Sequence, residues 1–488
     1  MHAPDIRVHV VNDAPVRDDG DYVLYWMIAN RRRRYNFALE HAAALARDHD
    51  KPLLVLEALR VGYRWASTRL HTFVVDGMAV NQRDFDDAGV RYLAYLEREE
   101  GDGKGLLDAL AARACVVVTD TFPCFFLPRM VAAVGERLDV SLVEVDANGL
   151  FPLRASDGSK KRAVDFRRLL QKKLPDHLHD MPVKDPLRRY DGGQATVPRE
   201  VLDRWDFLTA SELESDHAEL CDTLPIDTSV RPADVTGGYD AARKALDRFI
   251  DDRLPGYADG RNHPDEEVAS GLSPWLHWGH IGAHEVIARC LNRDDWSPDS
   301  VAEKATAKRE GWWGASPEVE AFLDEIVTWR ELGYHFCFHH PDTYDRYSSL
   351  PDWAKKTLEE HQDDEREHVY QMQTLEDAET HDPIWNAAQR QLVQSGRMHN
   401  YLRMLWGKKV LQWTVSRETA IDRLIELNNK YAVDGRDPNS YSGIFWVFGR
   451  FDRAWGPERE VFGKIRYMTS DSTKRKLKMS EYLERWGD

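Results

Sequence analysis

Along the first 150 residues, short apolar runs alternate with stretches in which Ala and Leu recur every three or four positions. The runs are Arg7-Val8-His9-Val10-Val11, Tyr22-Val23-Leu24-Tyr25-Trp26, Pro52-Leu53-Leu54-Val55-Leu56, Cys115-Val116-Val117-Val118-Thr119 and Ser141-Leu142-Val143-Glu144-Val145. Their length and their β-branched and aromatic content predict strands, and the Asn36 to His49 stretch between two of them predicts a helix. Such alternation specifies an α/β domain with a mainly parallel, doubly wound sheet over 1–150. From 151 to 235 the alternation stops, and Pro182, Pro186, Gly192-Gly193 and Pro198 mark a connector with short helices. Over 236–488 the period becomes helical, most clearly in Glu318 to Tyr334, Pro383 to Val393, Tyr401 to Trp413 and Ala420 to Tyr431. Asp382-Pro383 reads as a helix cap followed by a first-turn proline, and Gly435 as the stop of the last of these helices.

Composition narrows the class. The chain of 488 residues carries 66 Lys and Arg against 83 Asp and Glu, a formal net charge of −17. It lacks any apolar run of roughly 18 residues, and Met1-His2-Ala3-Pro4-Asp5 lacks the basic-then-apolar order of a signal peptide, so a soluble, cytoplasmic protein without a membrane segment is expected. Five scattered cysteines form no CxxC pair and read as reduced thiols. Neither GxGxxG nor GxxxxGK[ST] stands at a strand–helix junction. The charge is uneven: Arg390 to Trp413 holds Arg390, Arg397, Arg403, Lys408 and Lys409 with no acid, and Lys464 to Lys478 is basic apart from Asp471. Of the 16 tryptophans, 13 follow residue 270.

Several constellations could carry chemistry, each with a plainer alternative. Ser270-Gly271-Leu272-Ser273-Pro274 opens a helix, where hydroxyls and free N–H groups suit an anion, although a simple N-cap explains the pattern better on its own. Glu325 and Trp329, at i and i+4, pair a carboxylate with an indole on one face, as a site for a heterocycle would, or as a buried Trp beside an exposed Glu would. Arg403, Trp406 and Trp413 share nearly one face of a basic helix, with core packing as the default reading of the indoles. The run Asn428-Asn429-Lys430-Tyr431-Ala432-Val433-Asp434-Gly435-Arg436-Asp437-Pro438-Asn439 is a dense polar loop. His335 and His339 lack a third ligand at a recognisable spacing, so no metal is expected.

Together these segments resemble the photolyase/cryptochrome family, most closely the class II cyclobutane pyrimidine dimer photolyases. The resemblance rests on RVHVVNDAPVR and YVLYWM near the N-terminus, and on SGLSPWLHWGHI, FLDEIVTW, WAKKTLEEH, THDPIWNAAQ, MHNYLRMLWGKKVLQW, LNNKYAVDGRDPN and FGKIRYM further on. It implies an α/β antenna domain, an all-helical FAD-binding domain and light-driven repair. In that reaction, excited FADH⁻ donates an electron to a flipped-out dimer in UV-damaged DNA, and the protein acts as a monomer. It also implies that Ser270, Leu272 and Ser273 bind the flavin diphosphate, bordered by Tyr239 and Arg261, and that Arg403 and Asp434 flank the isoalloxazine. By the same resemblance Asn428 faces flavin N5, and Trp406, Trp385 and Trp413 relay electrons from flavin to surface. Glu325 would hydrogen-bond the damaged bases, with Trp329, Trp446, Met404 and Asn400 against the flipped dimer. Arg397, Lys408, Lys409, Arg450, Lys474 and Arg475 are the candidate DNA phosphate contacts. An antenna pigment, 8-hydroxydeazaflavin or a folate, is compatible with the family. A cryptochrome-like photoreceptor without repair activity is the alternative. The chain departs from the class II pattern at Asn400 after His399, at Tyr334-His335 before Phe336-Cys337, at Gly449-Arg450-Phe451-Asp452 and at Asn429, where an acid is usual.

Overall fold

In the computed structural model, which describes residues 2–487, six strands form one sheet: β1 (Val8–Val10), β2 (Tyr22–Met27), β3 (Leu53–Leu59), β4 (Arg91–Leu96), β5 (Ala114–Asp120) and β6 (Leu142–Val145). The order is β1-β6-β5-β2-β3-β4, parallel throughout except for β1, which runs antiparallel to β6. The doubly wound α/β expectation holds. Strands β2 and β5 are buried along their whole length, which is why they read as continuous apolar runs rather than as alternations. The helix Phe37–Asp48 starts at Asn36, whose side-chain oxygen accepts from the N–H groups of Ala38 and Leu39. It covers the sheet with Phe37, Leu39, Ala42, Ala43 and Ala46.

The strand order reverses between β2 and β5, and at that switch point lies a buried carboxylate that the apolar pattern does not advertise. Asp120, at the end of β5, accepts from the backbone N–H groups of Ile28, Ala29 and Asn30 at 2.8–2.9 Å, from the Tyr25 hydroxyl at 2.7 Å and from Asn30 Nδ2 at 3.1 Å. It therefore fixes the loop that leaves β2 at the carboxyl ends of the strands, where open α/β sheets place their crevices.

The chain divides into two units. The first runs to Ala155 and takes in Asp176–Asp247 and Leu272–Arg289, and the second comprises Ser156–Pro175, Arg248–Gly271 and the chain from Cys290 onward. These limits differ from the 150 and 235 boundaries drawn on composition, because the connector is shared. Its helix Ala163–Lys173 packs in the second unit against Asp324–Trp329, tied by a two-pronged Arg167–Asp324 pair at 2.8 and 3.0 Å. The second unit is all-helical. Among the described residues no helix is long and apolar enough to cross a membrane.

Candidate functional site

Four helices of the second unit, Pro383–Ser395, Asn400–Gln412, Arg417–Tyr431 and Pro438–Val447, pack on one another. Asp382 caps the first, accepting from the N–H groups of Ile384 and Trp385. The third ends at Ala432, and Gly435 is not the left-handed stop that the sequence suggests: that conformation falls on Arg436, at φ 65°. Gly435 is needed for space, since a Cβ there would lie 2.9 Å from the Asn429 Cα and 3.0 Å from the Ala432 and Asn428 carbonyl oxygens. The turn thus folds tightly back on the helix end and brings Asp434 to Arg403, with 3.8 Å between Asp434 Oδ1 and the guanidinium.

Arg403, Asn428 and Asp434 meet here as the sequence proposes. Arg403 Nη1 lies 3.4 Å from Asn428 Oδ1, a weak bond at best. Asn428 Nδ2 donates to Asn429 Oδ1 at 3.1 Å. Apart from the long ion pair to Arg403, the Oδ1 atom of Asp434 is buried without a hydrogen bond, which leaves it able to accept from a ligand donor. A flavin edge, which alternates N–H donors and carbonyl acceptors, fits this set of one guanidinium, one amide and one carboxylate.

The tryptophans form a continuous buried series. The rings of Trp406 and Trp385 are 6.5 Å apart and nearly parallel, at 8°, and Trp385 meets Trp413 at 5.6 Å and 68°. Each inner indole is pinned through its N–H: Trp406 Nε1 donates to Gln389 Oε1 at 2.9 Å and Trp385 Nε1 to the Trp406 carbonyl at 3.0 Å. Core packing alone requires no such chain of rings from one helix to the next. Trp413, expected at the surface, is only 2% exposed. The Tyr370 ring and that of the exposed His381 pack against it, with ring centroids 5.4 and 5.2 Å from it. Neither Gln389 nor Tyr370 was legible as part of this group, since no spacing links them to the indoles.

Glu325 and Trp329 sit in a π-helical turn, Asp324–Trp329, between the helices Pro317–Leu323 and Arg330–His339. The turn is wider than the α-helix that the spacing of these two residues suggests. Hydrogen bonds of the i→i+5 kind still return residue i+4 to almost the same face, and such turns concentrate at functional sites. Both side chains are half-buried. Arg261 pairs with Glu325 at 2.6 Å and lies over the Tyr257 ring. Burial pushes the Glu325 carboxyl above the usual carboxylate range, against the pull of Arg261.

The remaining candidates separate by burial. Met404 and Trp446 are half-buried and Asn400 is exposed. Arg397, Lys474 and Arg475 are exposed, the last two in the final turn of the helix Ser470–Lys476. Lys408, Lys409 and Arg450 have no face for a phosphate. Lys408 is fully buried, donates to the Val447 carbonyl and lies 4.8 Å from the Trp446 ring centroid. Lys409 pairs with Asp382 at 3.6 Å, and Arg450 donates to the Ser349 carbonyl and meets His340 at 3.2 Å.

Of the proposed diphosphate residues, Ser270 belongs to the second unit and Leu272, Ser273 and Tyr239 to the first. The helix that opens there, Ser273–His277, has Leu272 at its cap position and no side-chain cap bond, so the simple N-cap reading of the serines fails. Tyr239 donates to Glu285 at 2.8 Å. The His335 and His339 rings are 6.0 Å apart, and among the described residues no group of three or more metal-ligating side chains occurs.

No family model matches the chain, but curated relatives do over almost its whole length. It is 34% identical over 486 residues to a deoxyribodipyrimidine photo-lyase of Methanothermobacter thermautotrophicus, covering 99% of this chain and 98% of that one. It is 36% identical to a protein of the same name from Oryza sativa subsp. japonica, covering 98% and 89%. A third, from Potorous tridactylus, is 32% identical and covers 98% and 83%. Among solved structures, a class III photolyase from Agrobacterium tumefaciens superposes with a TM-score of 0.64 at 20% identity, over 96% of this chain and 86% of that chain, and so shares the fold. With residue identity sustained across both units and the indole series and polar cluster in place, the chain belongs to the deoxyribodipyrimidine photo-lyase family.

Proposed function

We propose that this protein is a light-driven DNA repair lyase of the class II kind, which splits cyclobutane pyrimidine dimers with bound FAD. The observation that carries the reading is the buried series Trp406, Trp385, Trp413, which begins three residues from Arg403 on one helix and passes to the next. Arg403, Asn428 and Asp434 would hold the isoalloxazine. When bound, FAD supplies light absorption and the electron that opens the dimer. The chain's own residues do the rest. Arg403 offers a cation, Asp434 an acceptor and Asn428 a buried amide.

Glu325 would receive the damaged bases. Its carboxylate, oriented by Arg261, can accept a hydrogen bond from a pyrimidine N–H. Trp329 and Trp446 present indoles against which flipped bases pack. Flipping is least costly for a damaged base, already poorly stacked, and photolyases as a class act on bases taken out of the stack in this way. Arg397, Lys474 and Arg475 provide exposed cations for phosphates despite the net charge of −17. A second pigment in the α/β unit remains part of the proposal as a deazaflavin or a folate.

The indole series is tested by flavin photoreduction in the presence of an external thiol. Wild-type protein is expected to accumulate reduced flavin under blue light, and Trp385→Phe to do so at least tenfold more slowly. Equal rates would remove the support that the series gives.

A further inference from the structure

The polar cluster contains an amide whose orientation is dictated from outside it. Asn429 has no exposed surface, and its hydrogen bonds can be assigned from a donor that admits no ambiguity, the backbone N–H of Arg436. That group donates to Asn429 at 2.8 Å and so identifies the receiving atom as Oδ1. The Asn428 atom lying 3.1 Å from the same oxygen must then be a donor, Nδ2. At its other end, Asn429 Nδ2 donates to the Tyr441 hydroxyl at 3.3 Å, so Asn429 is held at both ends. Asn428 is left with Oδ1 turned toward Arg403, whose Nη1 is 3.4 Å away. Turning the Asn428 amide over would set its NH2 against the guanidinium and its oxygen against the Asn429 oxygen, losing both bonds.

We propose that Asn429 is a positioning residue that locks Asn428 with its side-chain oxygen toward the flavin, so that the pocket favours a flavin carrying a proton on N5. The inference rests on the reading that Asn428 faces N5. The contact to Arg403 is long, and an amide oxygen has two lone pairs, which leaves one for an N5–H donor. An acceptor at that point binds the reduced, N5-protonated ring better than the oxidised ring, whose N5 is itself an acceptor. The chain departs from the class II pattern at this position, yet an amide and a carboxylate both offer an oxygen to Arg436 and to Asn428, so either keeps the polarity.

Two readouts on FAD-loaded full-length protein test it. The first is the two-electron midpoint potential of the bound flavin. The second is the redox-induced infrared difference spectrum of protein labelled with ¹³C-asparagine, which reads the Asn428 carbonyl directly and which a merely structural role for Asn429 would not move. Asn428→Ala is expected to lose the carbonyl band and to reduce the preference for reduced over oxidised flavin about tenfold, a fall of about 30 mV. Asn429→Ala is expected to shift the potential in the same direction and to lose or broaden the band, and Asn429→Asp to restore the band. Where Asn429→Ala does not retain FAD, Asn429→Ser takes its place with the same expectation. An effect of Asn428→Ala without one from Asn429→Ala overturns the positioning role and leaves the flavin reading standing. No effect from Asn428→Ala overturns both.

Discussion

Lys408 offers a quantitative prediction. It lies in the second half of the helix Asn400–Gln412, fully enclosed, with its Nζ donating to the Val447 carbonyl and facing the Trp446 ring. Burial pulls its ammonium down to about 7, with Asp452 opposing the shift and Arg466 adding to it. A fall from the ordinary lysine value of 10.5 is worth on the order of 4–5 kcal/mol at about 1.4 kcal/mol per pH unit. In the unfolded chain the amine keeps its proton up to about 10.5, whereas in the folded chain it loses it near 7. Between those limits the unfolded state binds more protons, so stability rises with pH, and below 7 the full penalty applies. Replacing the amine with an apolar group of similar length removes the penalty. Lys408→Met is therefore expected to be more stable than wild type at pH 6.5 by roughly 2–4 kcal/mol once imperfect packing is allowed for. The advantage should shrink by about 1.4 kcal/mol per pH unit up to pH 9. Urea unfolding followed by tryptophan fluorescence at four pH values reads this directly. A difference independent of pH, or a variant less stable throughout, would refute the reasoning. The same variant should leave the salt dependence of DNA binding unchanged, since a buried amine releases no counterions.

Three further outcomes are expected. Trp406→Phe should slow flavin photoreduction but leave repair by chemically reduced protein largely intact, as measured by dimer loss after dithionite treatment, and equal loss of both would show a structural role only. Lys474→Glu with Arg475→Glu should weaken DNA binding whatever the sequence, and should lower the slope of log K against log salt by about one for each phosphate no longer neutralised. Asp120→Ala should destabilise the α/β unit by about 3–5 kcal/mol, because three buried backbone N–H groups lose their acceptor together. A calorimetric loss under 1 kcal/mol would contradict that.

How much could be read in advance follows from which forces the pattern records. Strands β2, β3 and β5 were legible because a strand buried on both faces reads as a nearly continuous apolar run, with Glu57 and Asp120 as buried exceptions. Strand β4, Arg-Tyr-Leu-Ala-Tyr-Leu, was not legible, because its Leu and Ala suit a helix as well and it follows the helix Thr68–Asp86 after a short turn. The helix Asn400–Gln412 misled on charge: its residues from Leu405 to Leu411 are all buried, so a run that looks like a basic surface instead encloses Lys408 and Lys409. Chain order could not show that the connector is shared, since Arg167 is committed to Asp324 by a pairing 157 positions apart. What the resemblance placed in the polar cluster did come together, because Arg403, Asn428 and Asp434 lie on adjoining helix ends. Asn429 shows its role only when the donors are assigned one by one.

Light-dependent splitting of a dimer in DNA can be measured directly. The direct measurement is to incubate the protein, with its flavin fully reduced, with an oligonucleotide bearing one cyclobutane thymine dimer, and to follow dimer content in blue light and in darkness. Loss of the dimer in light, none in the dark, and strong loss of activity in Glu325→Ala is the predicted result. Dimer content unchanged by light, with reduced flavin demonstrably bound, would contradict the account.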